Sequence, residues 1–210
     1  MLVDEMPLLA ADANDVKWSF LPVESMNQAE VIKGASSAMF GSSAMNGVIN
    51  MRTKYPTSKP VTMVEMYCSA YDIPAYYQWY DNKQLHMQSG TNFNHSQQIG
   101  QFDLVLGGQV FKDDGYRLAE SEQRLRGNAS LRYRFKNING FSVVARTNIQ
   151  QAKGGLFLIW QDDTTGALVP FGGLDTATTT ISNYTTTRYY IDNEWSYFSP
   201  HGAQHKLKGR

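Results

Sequence analysis

The sequence predicts a mainly β fold: a small α+β segment over residues 1–56, a linker at 57–60, and over 61–210 an antiparallel meander forming part of a transmembrane β-barrel. Three observations predict it. From residue 61 onward apolar and polar side chains alternate with a period of two, as in a sheet whose two faces meet different surroundings. The links between the alternating runs are short and long in turn. Aromatic residues, 12% of the chain, gather near the ends of those runs, where an interfacial girdle would need them.

The first segment is poor in aromatics and is broken by Pro7, Pro22 and Pro56. Residues 29–33 read as a short strand. Residues 36–40 read as a one-turn helix, with Ser36 able to cap its start and Gly41 to stop it. Residues 47–52 read as a second strand, and Val31, Ile32, Val48 and Ile49 would form a small core between the two strands.

Strands are expected at about 61–71, 88–97, 100–112, 123–135, 140–151, 187–198 and 204–210. The clearest is 124–135, where Arg124, Arg126, Asn128, Ser130, Arg132 and Arg134 alternate with Leu125, Gly127, Ala129, Leu131, Tyr133 and Phe135. Phe141, Val143, Ala145, Thr147 and Ile149 then alternate with Ser142, Val144, Arg146, Asn148 and Gln150. Tyr189, Ile191, Trp195 and Tyr197 do the same against Arg188, Asp192, Glu194 and Ser196. Links at 98–99, 136–139 and 199–203 are short, whereas those at 72–87, 113–122 and 152–186 are long, so every tight turn falls on one edge. That is the layout of an outer-membrane barrel, with strands of about 10 residues carrying a lipid-facing row and a lumen row.

A soluble β-sandwich alternates too, with its apolar row as the core. Strand lengths of 11 to 13 residues are long for a sandwich. Aromatic clusters at strand ends, Tyr133, Phe135 and Phe141 about one turn and Trp195, Tyr197 and Phe198 before another, also lean towards a membrane.

Composition excludes several classes. Nineteen Lys and Arg balance nineteen Asp and Glu, so no basic field is available for nucleic acid. The longest clean apolar stretch, 156–160, is far below the roughly 20 residues of a membrane-crossing helix. A single cysteine, Cys68, forbids an intramolecular disulfide framework. His201 and His205 have helical ligand spacing, but Pro200 and Gly202 argue against a helix there. No metal and no cofactor is expected, and no set of nucleophile, base and orienting group can be assembled for an enzyme. The start of the chain lacks a charged n-region and an apolar h-region, so the protein is either cytosolic or begins partway through a longer exported precursor.

Residues 30–54, EVIKGASSAMFGSSAMNGVINMRTK, resemble the distal half of the plug domain of TonB-dependent outer-membrane receptors, with its pattern E-V-x-K/R-G-P-x-S-x-L-Y-G-x-x-A-x-G-G-V-I-N-I-x-T-K. Leu2-Val-Asp-Glu-Met-Pro-Leu8 is similar to the family's V-D-G-x-P-L strand and turn, and the run from residue 61 to the start of its barrel. Ala35, Met39, Phe40 and Asn46 depart from the pattern, and Glu5 stands where the turn usually has Gly. The resemblance implies a fragment of a plugged 22-stranded barrel in the outer membrane of a Gram-negative bacterium. A signal peptide and a TonB-contacting stretch would precede residue 1.

It further implies energy-coupled import of a scarce nutrient, a siderophore, a cobalamin or an oligosaccharide, with TonB and outer-membrane lipid as partners. The plug-motif residues are Glu30, Lys33, Gly34, Gly41, Gly47, Asn50 and Arg52, with Glu30, Lys33 and Arg52 expected to pair with charges on the lumen wall at Arg124, Arg126, Arg132, Arg134 and Arg146. Substrate contacts are expected on the long-loop side, at Tyr76, Tyr77, Trp79 and Tyr80 in the first loop and Trp160 and Asp162 in the third, where stacking surface and polar groups combine. A barrel that binds or adheres without transporting, and a soluble β-sandwich enzyme, are the competing classes.

Overall fold

A computed structural model describes residues 1–8, 16, 18–34, 47–72, 85–117, 119–162, 164 and 169–210. The expected helix at 36–40, Gly41, and Tyr76, Tyr77, Trp79 and Tyr80 lie outside the described residues.

The described residues form two sheets. The amino-terminal one comprises β1 (Leu2–Val3), β2 (Met6–Pro7), β3 (Met26–Lys33) and β4 (Gly47–Thr53) in the order β2-β1-β4-β3. β1 runs parallel to β4, and the other pairs are antiparallel. Two short 3-10 turns, Trp18–Phe20 and Val23–Ser25, precede β3. The second sheet holds β5 (Val61–Ala70), β6 (Met87–Ile99), β7 (Phe102–Asp113), β8 (Ser121–Arg134), β9 (Phe141–Leu156), β10 (Ser182–Phe198) and β11 (Gln204–Gly209). It is an antiparallel meander in strict chain order. Residues 100–101, 135–140 and 199–203 make the tight turns at one edge, and 71–86, 114–120 and 157–181 the long links at the other.

β9 and β10 run further towards the long links than the alternation indicates, pairing as far as Leu156 with Ser182. The reason lies in the outer row, which becomes polar there at Gln151, Lys153, Thr185 and Thr187. The pairing continues after the hydrophobic rhythm that reveals it has stopped.

Burial in the large sheet is inverted relative to a water-soluble protein. Leu125 and Ile149 on the outer row are 58% and 54% exposed, and Tyr189 is 72% exposed. Buried on the other face are Asn92, Asn94, Asp103, Gln109, Arg126, Asn148, Gln150, Asp192 and Glu194. In a sandwich the apolar row would be the core; here it is uncovered and the polar row is packed against the amino-terminal segment. At the tight-turn edge the outer row carries a chain of rings, Phe102 to Tyr133 to Phe135 to Phe141, with centroids 4.8, 4.7 and 5.0 Å apart. Rings in that position match the aromatic girdle of a membrane-spanning β-barrel strand set.

The small sheet's core differs from the expected one. Val48 is buried against Leu2, but Val31 and Ile32 are exposed, because β3 is an edge strand. The main apolar cluster is Val3, Leu8, Phe20 and Leu21 together with Tyr190 of the wall. Phe20 and Tyr190 meet edge to face at 5.7 Å, so the main apolar cluster of the described residues joins the amino-terminal segment to β10.

Candidate functional site

Among the described residues, polar contacts between the inner face of the wall and the amino-terminal segment gather at three places, with Arg132 reaching the Tyr55 hydroxyl at 3.2 Å as an exposed fourth. The first is the pair of 3-10 turns. Arg126 Nη2 donates to Glu24 Oε2 at 2.6 Å, and Asn128 Nδ2 to Glu24 Oε1 at 2.6 Å. Arg126 Nη1 donates to the Ser19 carbonyl at 2.8 Å, and Asn148 Nδ2 to the Phe20 carbonyl at 2.8 Å. Ser25 Oγ donates to Asn128 Oδ1 at 2.6 Å and accepts from Asn94 Nδ2 at 3.0 Å. Lys54 Nζ completes the set, donating to the Glu24 carbonyl at 2.9 Å and to Asn94 Oδ1 at 3.0 Å. A turn too short to satisfy its own backbone groups presents carbonyls to a neighbour, and the wall supplies the matching donors.

The second place is the β1–β2 turn. Asp4 and Glu5 both have positive φ, 48° and 70°, as a two-residue hairpin of this kind requires. Neither residue is glycine, so the conformation costs energy, and hydrogen bonds hold it. Asp4 accepts from the Thr53 amide at 3.0 Å and the Thr53 hydroxyl at 2.5 Å, and the Glu5 amide donates to Asn50 Oδ1 at 3.0 Å. The wall adds cations: Arg146 Nε stands 3.0 Å from Asp4 Oδ2, and Lys208 Nζ donates to Glu5 Oε2 at 2.6 Å and to the Asp4 carbonyl at 2.7 Å. Burial pushes the Glu5 carboxyl up, but Lys208, Lys206 and Arg52 outweigh it and hold its pKa below the ordinary carboxylate value. The third place is Arg210, which donates to both Asp192 oxygens at 2.7 and 2.8 Å and to the Pro7 carbonyl.

The sequence-expected residues take up distinct positions. Arg52 Nε and Nη2 grip Glu30 at 3.0 Å each, and Arg52 Nη1 reaches Glu5 at 3.0 Å, so Glu30 and Arg52 pair within the small sheet and not with the wall. Hydrogen bonds from Arg52 and Asn50 hold the Glu30 pKa low. Asn50 is buried and donates to Glu30 at 2.9 Å. Lys33 is exposed at the end of β3, followed by Gly34 at φ 93°. Gly47 opens β4 at φ 138°, and a Cβ there would stand 2.7 Å from the Ile32 carbonyl oxygen. Of the wall arginines, Arg126 and Arg146 meet carboxylates of the amino-terminal segment. Arg124 binds Glu122 at 2.9 Å and reaches the Ser19 carbonyl at 3.5 Å, Arg132 stacks on Tyr55, and Arg134 pairs with Asp103.

Sequence reasoning missed Glu24, Ser25, Asp4, Glu5 and Lys54. The wall half of the network was visible as a polar row; the other half sits in turns, where no periodicity marks a buried polar side chain.

On the long-link side, Trp160 is half exposed and bridges to Pro170, and Asp162 accepts from Thr164 Oγ1 at 2.7 Å. A cavity of about 310 Å³ opens on the inner face there, lined by Tyr71, Asp113, Tyr116, Glu120, Glu122 and Tyr184 among others. Neither Trp160 nor Asp162 lines it.

Residues 1–48 match the family described as the TonB-dependent Receptor Plug Domain. No curated protein matches the chain. Among solved structures, the ferripyoverdine receptor of the outer membrane of Pseudomonas aeruginosa, bound to ferripyoverdine, aligns with a TM-score of 0.66 at 12% identity, covering 99% of this chain and 26% of that one. The ferric-catecholate import receptor Fiu from E. coli K12 aligns with a TM-score of 0.61 at 18% identity, covering 93% of this chain and 28% of that one. These likenesses establish the fold, and the chain spans about a quarter of the length of the receptors it matches.

Proposed function

We propose that this chain, whose residues 1–48 are a TonB-dependent receptor plug and whose strands share that receptor fold, belongs to an outer-membrane receptor importing a scarce nutrient with energy delivered by TonB. The nutrient class is a siderophore, a cobalamin or an oligosaccharide. Residues 1–56 act as the plug, 57–60 as its tether and 61–210 as wall.

The inverted burial of the large sheet carries this reading. An outward apolar row needs lipid, and an inward polar row needs something hydrophilic to close over. The contacts that fill the inner face are hydrogen bonds and ion pairs, which water can replace one by one as a plug shifts; an apolar seam would lose its whole hydrophobic contribution on opening. Glu30, Lys33, Gly34, Gly41, Gly47, Asn50 and Arg52 keep the plug a rigid unit, and the network about Glu24 and Glu5 attaches it to the wall. Tyr76, Tyr77, Trp79, Tyr80, Trp160 and Asp162 contribute ligand contacts from the long links. Import requires no covalent chemistry on the ligand.

The test is uptake by cells carrying the receptor, measured for ferric chelates, cobalamin and oligosaccharides with and without TonB. Receptor-dependent uptake that disappears on deletion of TonB is expected, and uptake that persists would refute energy coupling. Glu30→Ala with Arg52→Ala should loosen the plug and admit large antibiotics; unchanged transport and unchanged leakage would remove that role from the pair.

A further inference from the structure

On the outer face of the wall, Phe102, Tyr133, Val143 and Trp195 form one cross-strand row at the tight-turn edge, and Lys112, Gln123, Lys153 and Thr185 form another towards the long links. Each strand runs ten residues from one row to the other, about 33 Å at roughly 3.3 Å per residue. At a strand tilt of about 40° that is a depth of about 25 Å, the height of the apolar band of an outer-membrane barrel. The ring-bearing row marks one interface of that band, so the lysine row stands at the other, on the side that carries the long extracellular loops of such barrels.

An open cavity of about 500 Å³ lies on the lysine row. Lys112, Gln123, Lys153 and Thr185 line it, with Val110 and Leu125 of the next outer row. Arg124 also lines it but is turned inward to Glu122. Lys112 and Lys153 flank Gln123 at two strand spacings, about 10 Å between backbones, so two flexible ammonium groups and an amide can close on one tetrahedral anion. Lys112 holds Asp114 at 2.9 Å in an exposed pair, which another anion replaces at little cost.

Beyond Val110 and Leu125 the outer row reaches Gly108 and Gly127, paired directly across β7 and β8. Neither has the positive φ that would demand glycine. A Cβ would meet only ordinary contacts, the Arg126 carbonyl oxygen at 3.5 Å from Gly108 and Ile149 Cγ2 at 4.0 Å from Gly127. What the two glycines do is leave a furrow in the outer surface, flanked by Phe93 and Ile149, which are 40% and 54% exposed. Glycine inside a strand often marks a close approach to the backbone. A ligand that uses both features is anionic at one end and a hydrocarbon chain at the other, and it arrives from the lipid. Free phosphate would leave the furrow empty, and an uncharged lipid would leave the lysines unused.

We infer that Lys112, Gln123 and Lys153 bind the phosphate of one outer-leaflet lipid, whose acyl chain lies in the furrow at Gly108 and Gly127. The inference rests on the membrane-wall part of the import reading and asks nothing of TonB or of the nutrient. The test is native mass spectrometry of the purified protein in detergent, titrated with bisphosphorylated lipid A, with the same lipid stripped of its phosphates, and with inorganic phosphate. Retention of lipid A is expected, weakened by about tenfold or more on removal of its phosphates, and likewise by Lys112→Ala combined with Lys153→Ala. Gly127→Leu, which fills the furrow and keeps both lysines, should also weaken it; should that strand variant fail to fold, the exposed lysines still decide. Equal retention by the lysine variant, equal retention of the dephosphorylated lipid, or binding of inorganic phosphate with no retained lipid overturns the inference. Nutrient uptake that proceeds without TonB would refute energy coupling and leave the lipid site standing; loss of lipid selectivity with TonB-dependent uptake intact would do the reverse.

Discussion

Glu24 and Arg126 meet at 2.6 Å with side chains 0% and 1% exposed, joining a turn of the amino-terminal segment to the middle of the large sheet across 102 residues of sequence. Two charges so enclosed stabilise only as a set, since each has given up its hydration. Removing one partner is therefore the damaging change. Glu24→Ala should cost about 3–5 kcal/mol by leaving a buried guanidinium unpaired, read as a lowered urea midpoint in detergent. Glu24→Leu combined with Arg126→Met should cost clearly less than the two single changes added together.

Glu5 gives a pH dependence with a definite sign. Its pKa in the folded chain lies below the ordinary value of 4.5. The stability it contributes is thus fully present above pH 4.5 and is lost as pH falls through the folded value. Melting temperatures taken downward from about pH 6 should fall more steeply for the wild type than for Glu5→Gln, with the two curves converging at the acid end.

Gly47 occupies a conformation that side chains resist, with the Ile32 carbonyl in the place of a Cβ. Gly47→Ala should destabilise the β3–β4 pair by about 1–3 kcal/mol. Faster cleavage of residues 26–53 by protease, with the wall still protected, would report it. Gly34→Ala meets no neighbour within 4 Å, so its cost is limited to backbone strain.

Neighbouring residues of the wall should respond in opposite ways to charge. Ile149 faces out at 54% exposure, and Asn148 beside it is 0% exposed. Ile149→Arg should cost up to about 2–4 kcal/mol on folding into phospholipid vesicles if the residue sits near mid-bilayer. A protein whose outer row faced water would be indifferent to the change or improved by it. Urea titration in vesicles separates the two results.

The wall was legible because its two faces meet different solvents, and a period of two writes that difference into consecutive residues. Alternation puts Arg124 to Arg134 on one polar face, the barrel reading turns that face inward, and the structure places the row inward. What faces those residues was not legible. Glu30, expected to face the wall arginines, turns instead to Arg52, and the acid opposite Arg126 is Glu24, a residue in a three-residue turn with no periodic neighbours. The expected core at Val31 and Ile32 failed for a related reason: strand character reads from composition, but a strand's place at the edge of its sheet depends on a partner order that local sequence does not record. The upper parts of β9 and β10 were missed where Lys153 and Thr185 end the apolar row.

The burial inversion also shapes how this protein is free to vary. An outward leucine answers only to the oiliness and thickness of its surroundings, and can drift to valine, isoleucine or phenylalanine without consulting anything else in the chain. An inward asparagine is committed to a named counterpart, as Asn128 is to Glu24 and Ser25, and can change only if that counterpart changes with it. Across the descendants of such a gene, correlated substitution should therefore concentrate among the polar positions of the inner face, and the greasy exterior should diverge one residue at a time.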